Sequence, residues 1–122
     1  MFSHVFVSAN DVQASKVFYD AVLGALGHSA GVMDARGRCF YVSAAGPLLG
    51  VTKPIDGELA THSNGGTIGF SAPSAEAVDA WHAAGLANGG SACEDPPGRR
   101  HNGLYVAYLR DPSGNKLCAR NP

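Results

Sequence analysis

The stretch that decides the fold runs from His4 to Gly27 and reads HVFVSANDVQASKVFYDAVLGALG. Its first residues alternate between two faces, which is the period of a half-buried strand. One face carries His4, Phe6 and Ser8, and the other carries Val5, Val7 and Ala9. The alternation predicts a β-strand at the start of the chain.

A helix is predicted directly after this strand. Asn10 and Asp11 have short polar side chains that can accept the first free N–H groups of a helix. Gly24 and Gly27 are suited to its end, because glycine adopts the left-handed C-terminal conformation at little cost. The apolar stripe is predicted at Ala14, Val17, Phe18 and Ala21. The helix is expected to cover the Val5 and Val7 face, which leaves the His4 face pointing elsewhere.

The same pattern returns in the second half of the chain. Residues 67–90, TIGFSAPSAEAVDAWHAAGLANGG, superimpose on residues 4–27 without a gap. The strand face, the helix cap and the apolar helix stripe recur in the same phase. In this alignment Phe18 matches Trp81 and Gly27 matches Gly90. Ser74 is the expected N-cap of the second helix. The repeat indicates that one supersecondary unit is used twice.

Short strand-like segments separated by Gly and Pro follow each helix. We therefore predict an α+β fold of two tandem βαβββ modules in a single domain, 1–122. Module one spans about 1–53 and module two about 66–122, with a polar connection at 53–66. Two helices can cover only one face, so the sheets are expected to form a cupped mixed sheet with the helices on the outer face. The concave side is a cleft suited to a ligand. The expected later strands are 28–33, 38–43, 48–52, 91–95, 104–109 and 115–120.

Composition excludes several classes of protein. Nine basic and ten acidic residues give a net charge of −1, which argues against a nucleic-acid partner. No apolar run approaches the ~20 residues that a membrane span needs, and no signal peptide is evident. The three cysteines, 39, 93 and 118, lack C-x-x-C spacing and indicate neither a disulfide framework nor a zinc site. A cytoplasmic location is the expectation.

Two motifs resemble the vicinal oxygen chelate superfamily, the glyoxalase, bleomycin-resistance and extradiol-dioxygenase group. The first is His4-Val5-Phe6-Val7 with Asn10-Asp11-Val12, Phe18-Tyr19 and Leu23-Gly24, and the second is Asp111-Pro112-Ser113-Gly114-Asn115-Lys116-Leu117. The resemblance implies a homodimer and, in metal-using relatives, a divalent ion in the cup. That ion acts as a Lewis acid on a substrate with two neighbouring oxygens.

The metal ligands that the resemblance implies lie on the first and last strands of each module. These positions hold His4, Thr67, Gly50 and Cys118. Only His4 and Cys118 offer a ligand, as an imidazole and a thiolate, so the set is incomplete. A divalent Fe, Mn, Ni or Zn is possible with these two metal ligands, but the count favours no tightly bound ion.

Other side chains complete the predicted ligand-binding set. His101 stands in the loop that rims the cup in relatives, where it would bind a polar substrate end or act as an acid or base, or else lie solvated. Tyr105 and Tyr108 have opposite faces by period two, so only one can face the cup. The predicted ligand-binding residues are His4, Thr67, His101, Tyr105 and Cys118. The segment 111–114 is predicted to be a type I turn and not a catalytic acid.

Two functions are carried forward. The first is a glyoxalase-like protein that binds a small organic molecule in its cup and, with His4 as a metal ligand, performs isomerase, lyase or dioxygenase chemistry. The alternative is a metal-free protein of the bleomycin-resistance type that sequesters a ligand. The ligand count favours the alternative, and the range of activities in the family favours an enzyme.

Overall fold

The computed structural model describes all residues, 1–122. Two helices and nine strands alternate in two similar halves. Their order is β1 (His4–Ser8), α1 (Val12–Ala25), β2 (Val32–Met33), β3 (Cys39–Val42), β4 (Leu48–Thr52), β5 (Ile68–Ser71), α2 (Ala75–Ala87), β6 (Ser91–Ala92), β7 (Gly98–Arg99), β8 (Tyr105–Arg110) and β9 (Lys116–Asn121).

The first half forms a four-stranded mixed sheet in the order β1-β4-β3-β2. β1 and β4 are parallel, with His4 opposite Leu48 and Phe6 opposite Gly50. β3 is antiparallel to both β4 and β2. This is the predicted βαβββ unit, and it confirms the first module's topology.

The second half repeats this arrangement in a five-stranded sheet. β5 is parallel to β9, as β1 is to β4, and β9 is antiparallel to β8. Two short strands, β6 and β7, both pair with β8. β7 lies in the segment that the sequence predicted to be a loop, so the second strand of this module, the one that follows α2, is divided in two. The α+β prediction of two helices with two mixed sheets is confirmed.

The helix caps largely follow the sequence. Asp11 accepts a hydrogen bond from the Ala14 N–H at 3.0 Å, and Ser74 accepts one from the Ala77 N–H at 3.1 Å. Asn10 has a different role, because its side chain accepts a hydrogen bond from the Ala60 N–H in the connection. Gly27 has φ +92°, which suits the residue just after a helix.

The predicted apolar stripe of α1 is confirmed only in part, because Phe18 is buried but the rest of the stripe is not. Val17 is 57% exposed, and Ala14 is exposed as well. The buried face consists of Val12, Ser15, Phe18, Tyr19, Val22 and Leu23. The helix is rotated because it packs against both its own sheet and α2, which buries Ser15 and the whole of Tyr19.

Two hydrogen bonds connect the halves of the molecule. The Tyr19 hydroxyl donates to Asp111 Oδ2 at 2.6 Å in a buried position. The Asn115 amide donates to the Ser8 carbonyl at 3.1 Å. Asp111 also accepts from the N–H groups of Ser113 and Asn115 within its turn, which confirms the structural role predicted for this segment.

The two faces of the sheets differ in what covers them. Val7, Leu49 and Leu117 belong to the core under the helices. Their neighbours on the same strands point to the opposite side, which we call the cup face. It carries His4, Phe6, Gly50, Thr67, Tyr108, Lys116 and Cys118. Neither α1 nor α2 has the length and apolar character that crossing a membrane requires.

Candidate functional site

An aromatic pair lies on the cup face of module one. The Phe6 ring contacts the Phe40 ring edge-to-face, with centroids 5.8 Å apart, and the His4 ring meets the other side of Phe6 at 5.7 Å. Phe6 is 43% exposed although it is a large apolar residue. An exposed aromatic surface at the centre of a cup can stack on an apolar part of a ligand.

Phe6 also occupies the space beside Gly50, one of the four implied metal-ligand positions. A Cβ atom on Gly50 would lie 2.3 Å from Phe6 Cε1, so no side chain fits there with the ring in place. Glycine at this position lets the ring approach the strand closely, since a β-carbon would push it away.

The donors on the cup face do not fit a metal ion of the family type. No three side chains of His, Cys, Asp or Glu lie together in a group that could hold one. Burial raises the pKa of the Cys118 thiol, although Arg120 and Lys116 act in the opposite direction. Cys118 is therefore a neutral thiol near pH 7, whereas a metal ligand must be a thiolate. His4 Nδ1 is within hydrogen-bond distance of the Ser3 hydroxyl, at 2.8 Å.

A polar cavity of about 340 Å³ lies between the edges of β1 and β5, beneath the connection. Its volume suits a small ligand. The side chains that line it come from both modules and the connection, and the important ones are Phe6, Ser8, Thr61, Ser63, Thr67 and Lys116. We call it the polar cavity. Its lining combines one aromatic wall with hydroxyl groups and the side chain of Lys116.

Lys116 is the charged group of the polar cavity. It pairs with Glu94, and this hydrogen bond raises the pKa of Lys116 above its usual value. Its Nζ also lies 5.1 Å from the centre of the Tyr108 ring. The ammonium group is thus held in place and charged at neutral pH. It has three N–H donors, so it can bind an oxygen of a ligand while it remains paired with Glu94.

The structure separates the predicted ligand-binding residues. Thr67 lines the polar cavity. His4 and Cys118 are on the same face of the sheets but outside its lining. His101 is exposed in the turn between β7 and β8, and the neighbouring Arg100 donates to backbone carbonyls of the same loop.

Tyr105 lies on the side of the sheet that faces the helices, and its placement in the cup needs correction. Its hydroxyl donates to Asp79 of α2 at 2.7 Å, and this hydrogen bond raises the pKa of Tyr105. Tyr108 faces the cup in its place, next to Lys116 and opposite Cys118. Alternation along the strand predicts that Tyr105 and Tyr108 lie on opposite faces of the sheet. It does not predict which of the two lies on the cup face.

Sequence reasoning did not single out Phe6, Ser8 and Lys116. A signal for them existed, because side chains two residues apart on a strand share a face. Phe6 and Ser8 follow His4 at that spacing, and Lys116 precedes Cys118 by two residues.

Comparisons with known proteins agree with the architecture. The family model for the Glyoxalase/Bleomycin resistance protein/Dioxygenase superfamily matches residues 1–119. A glyoxalase/bleomycin resistance protein from Albidiferax ferrireducens is 57% identical, with a TM-score of 0.94 over 100% of this chain and 99% of that chain. A putative glyoxalase from Bacillus halodurans is 21% identical, with a TM-score of 0.78 over 100% of this chain and 96% of that chain.

A more distant structure has an enzyme's name. Lactoylglutathione lyase from Agrobacterium tumefaciens is 23% identical, with a TM-score of 0.69 over 98% of this chain and 92% of that chain. This similarity concerns the fold alone. A comparison with curated proteins gives no match. The repeated βαβββ topology and the family match over nearly the whole chain lead to one conclusion: this protein belongs to the glyoxalase/bleomycin resistance/dioxygenase, or vicinal oxygen chelate, superfamily.

Proposed function

We propose that this protein binds a small organic molecule in the polar cavity by direct side-chain contacts, without a metal ion as a ligand. The molecule has a flat apolar part, which contacts Phe6, and an anionic oxygen-bearing group, which accepts hydrogen bonds from Lys116. This is the metal-free binding function of the bleomycin-resistance type. The name of the 57% identical relative includes that type.

The observation that carries the proposal is the Phe6 ring lying over Gly50. An aromatic surface takes the place where the family pattern would put a metal ligand, and Thr67 at another such position is a poor donor. The same ring lines a cavity that Lys116, a positively charged residue paired with Glu94, also lines. Apolar contact and charge complementarity are thus available where metal coordination is not.

Benzoate and benzamide form a matched pair of probes, because they differ in charge but hardly in shape. We expect benzoate to bind protein that has been treated with EDTA and to bind more tightly than benzamide, since only benzoate offers a full negative charge to Lys116. Calorimetric titration measures both affinities. Phe6→Ala should weaken benzoate binding threefold to about tenfold, the effect of losing an aromatic contact of ~0.5–1.5 kcal/mol.

Lys116→Met tests the charge while it keeps much of the length of the side chain. It should remove the preference for benzoate over benzamide and leave the weaker benzamide binding in place. Binding of benzoate only after a divalent ion is added would contradict the proposal, and so would equal affinities for the two probes in the natural protein.

A metal-assisted lyase or dioxygenase is the second candidate. It is favoured by the position of His4 on the cup face and by the name of the lyase from Agrobacterium tumefaciens. Elemental analysis of protein purified without chelator decides between the two: one equivalent of metal per chain, lost in His4→Ala, would favour the enzyme. The homodimer remains a prediction, and the unpaired edges of β2 and β6 are consistent with it.

A further inference from the structure

A second cavity, of about 220 Å³, lies elsewhere between the edges of β1 and β5. β1 pairs only with β4, and β5 pairs only with β9, so the two edges are not hydrogen-bonded to each other. The cavity is lined mostly by apolar side chains, among them Val5, Leu23, Leu48 and Phe70, and no Asp, Glu, Lys or Arg lines it. We call it the apolar cavity.

The apolar and polar cavities occupy equivalent places in the repeat. β1 pairs with β4 in the same way that β5 pairs with β9, and this registration superimposes Leu48 on Lys116 and Pro47 on Asn115. Pro47 and Leu48 line the apolar cavity, whereas Asn115 and Lys116 line the polar one. The repeat therefore contains two equivalent cavities. They differ in chemistry because the residues at matching positions are polar in one cavity and apolar in the other.

Size and lining define what the apolar cavity can hold. An apolar cavity of ~150 Å³ is large enough to bind benzene, so about 220 Å³ accommodates one ring with small substituents. An ion would lose its hydration without gaining a charged partner. The Tyr41 hydroxyl is already bonded to Asp20, but the His28 imidazole, also in the lining, has no hydrogen-bond partner in the protein.

We propose that the apolar cavity is a second ligand site, separate from the polar cavity, which takes a neutral single-ring aromatic molecule. The ring lies among Val5, Leu23 and Phe70, and His28 can pair with one hydroxyl group of the ligand. The site depends on the gap between the unpaired edges of β1 and β5, and it does not involve the aromatic pair of Phe6 and Phe40 on the cup face.

Adjacent residues of β1 allow a matched test, because Val5 lines the apolar cavity and Phe6 lines the polar one. The probe is p-cresol, followed by chemical-shift mapping and calorimetric titration. Binding should shift amide signals around Val5, Leu23 and Phe70. Val5→Phe, which fills the cavity, should weaken p-cresol binding at least tenfold, and Phe6→Ala should leave it unchanged.

Leu48→Lys provides a second variant that does not depend on overpacking. Leu48 is half-buried, and the substitution installs the residue that the other module has at the matching position. It should also weaken p-cresol binding at least tenfold. A variant counts in this test only if it retains a single cooperative unfolding transition. If one of the two fails to fold, the other decides the result.

Three outcomes would overturn the proposal: no saturable binding of p-cresol to the natural protein, displacement of p-cresol by benzoate, or unchanged affinity in a folded Val5→Phe or Leu48→Lys variant. Because the p-cresol readout does not require benzoate to bind, failure of the polar-cavity proposal leaves this test intact.

Discussion

Two glycines of the cup face show how a single β-carbon can control the site. A Cβ on Gly50 would lie 2.3 Å from the Phe6 ring, whereas a Cβ on Gly69 would meet nothing within 4 Å. We expect Gly50→Ala to displace the ring and to weaken benzoate binding threefold to about tenfold, as Phe6→Ala does. Gly69→Ala is the control and should leave benzoate binding unchanged. Equal effects of both alanines would show that the position of the ring does not matter.

For single residues, the sequence predicted the face of the sheet on which a side chain lies better than it predicted the function of that side chain. His4, Thr67 and Cys118 lie on the cup face, as alternation and the repeat required. The close approach of Phe6 to Gly50 could not be predicted, because it depends on the pairing of β1 with β4 and on the rotamer of the ring. Tyr105 was assigned to the wrong face because alternation gives two possible phases and only packing against α2 selects one.

At the scale of elements, Asp20 attaches α1 to the first sheet. Its carboxylate accepts hydrogen bonds from the Tyr41 hydroxyl at 2.8 Å, the Gly31 N–H at 2.9 Å and Lys16 at 2.6 Å. Burial would raise the pKa of Asp20, but these hydrogen bonds outweigh it and hold the pKa below the usual 3.8. The ionised carboxylate therefore stabilises the folded state above that pH, and the contribution is lost as the pH falls through the folded-state pKa.

Asp20→Ala should lower the free energy of unfolding by about 2 kcal/mol at pH 7, because it leaves the Gly31 N–H without an acceptor and leaves the Tyr41 hydroxyl with only the Lys16 carbonyl, 3.3 Å away. Urea unfolding at several pH values should show this difference shrinking below about pH 4, where the natural carboxylate becomes protonated. Lys16→Ala is the control, and removing this solvent-screened i,i+4 partner should cost much less than Asp20→Ala. A difference that does not change between pH 7 and pH 3 would contradict the role of the charge.

The elements themselves were predictable to different degrees. Caps at Asp11 and Ser74 and most of the later strands follow from local sequence, and the structure confirms them. The predicted strands 28–33 and 91–95 are much shorter, however, and consist only of Val32–Met33 and Ser91–Ala92. The buried face of α1 does not, because Ser15 is polar and yet buried whereas Val17 is apolar and yet exposed. The hydropathy pattern shows that a segment is helical. Which face of α1 is buried depends on its packing against its own sheet and against α2. β7 escaped prediction because two residues carry no periodic signal.

At the scale of the whole molecule, the repeat in the sequence predicted the topology. The positions of the two cavities, by contrast, are set by the gap between β1 and β5. Strand faces, caps and glycines recur in the same phase, which was sufficient to deduce two βαβββ units. The two hollows arise because β1 and β5 are not paired with each other, and nothing in the local sequence shows the width of that gap. Their different chemistry becomes visible only after the register superimposes Leu48 on Lys116.

The buried hydrogen bond from Tyr19 to Asp111 is one of the contacts that join the two modules, together with the bond from Asn115 to the Ser8 carbonyl and the packing of α1 on α2. Tyr19→Phe should lower the free energy of unfolding by about 1–2 kcal/mol. Asp111→Ala should lower it further, because the Ser113 and Asn115 N–H groups lose their acceptor too. A double-mutant cycle should give a coupling energy within ~0.5–3 kcal/mol. No coupling would mean that this hydrogen bond adds nothing to the cohesion of the modules.

The pH dependence of Tyr19→Phe provides a separate check on this bond. Burial raises the pKa of Tyr19 well above the usual 10.0, and the charge of Asp111 and the hydrogen bond act in the same direction. Above pH 10 the phenol therefore ionises in the unfolded chain but not in the folded one, which favours unfolding of the natural protein. The stability advantage over Tyr19→Phe should shrink as the pH rises through that range. A constant difference from pH 7 to pH 11 would contradict a raised pKa for the buried Tyr19 hydroxyl, and with it the contribution of this bond to the contact between the modules.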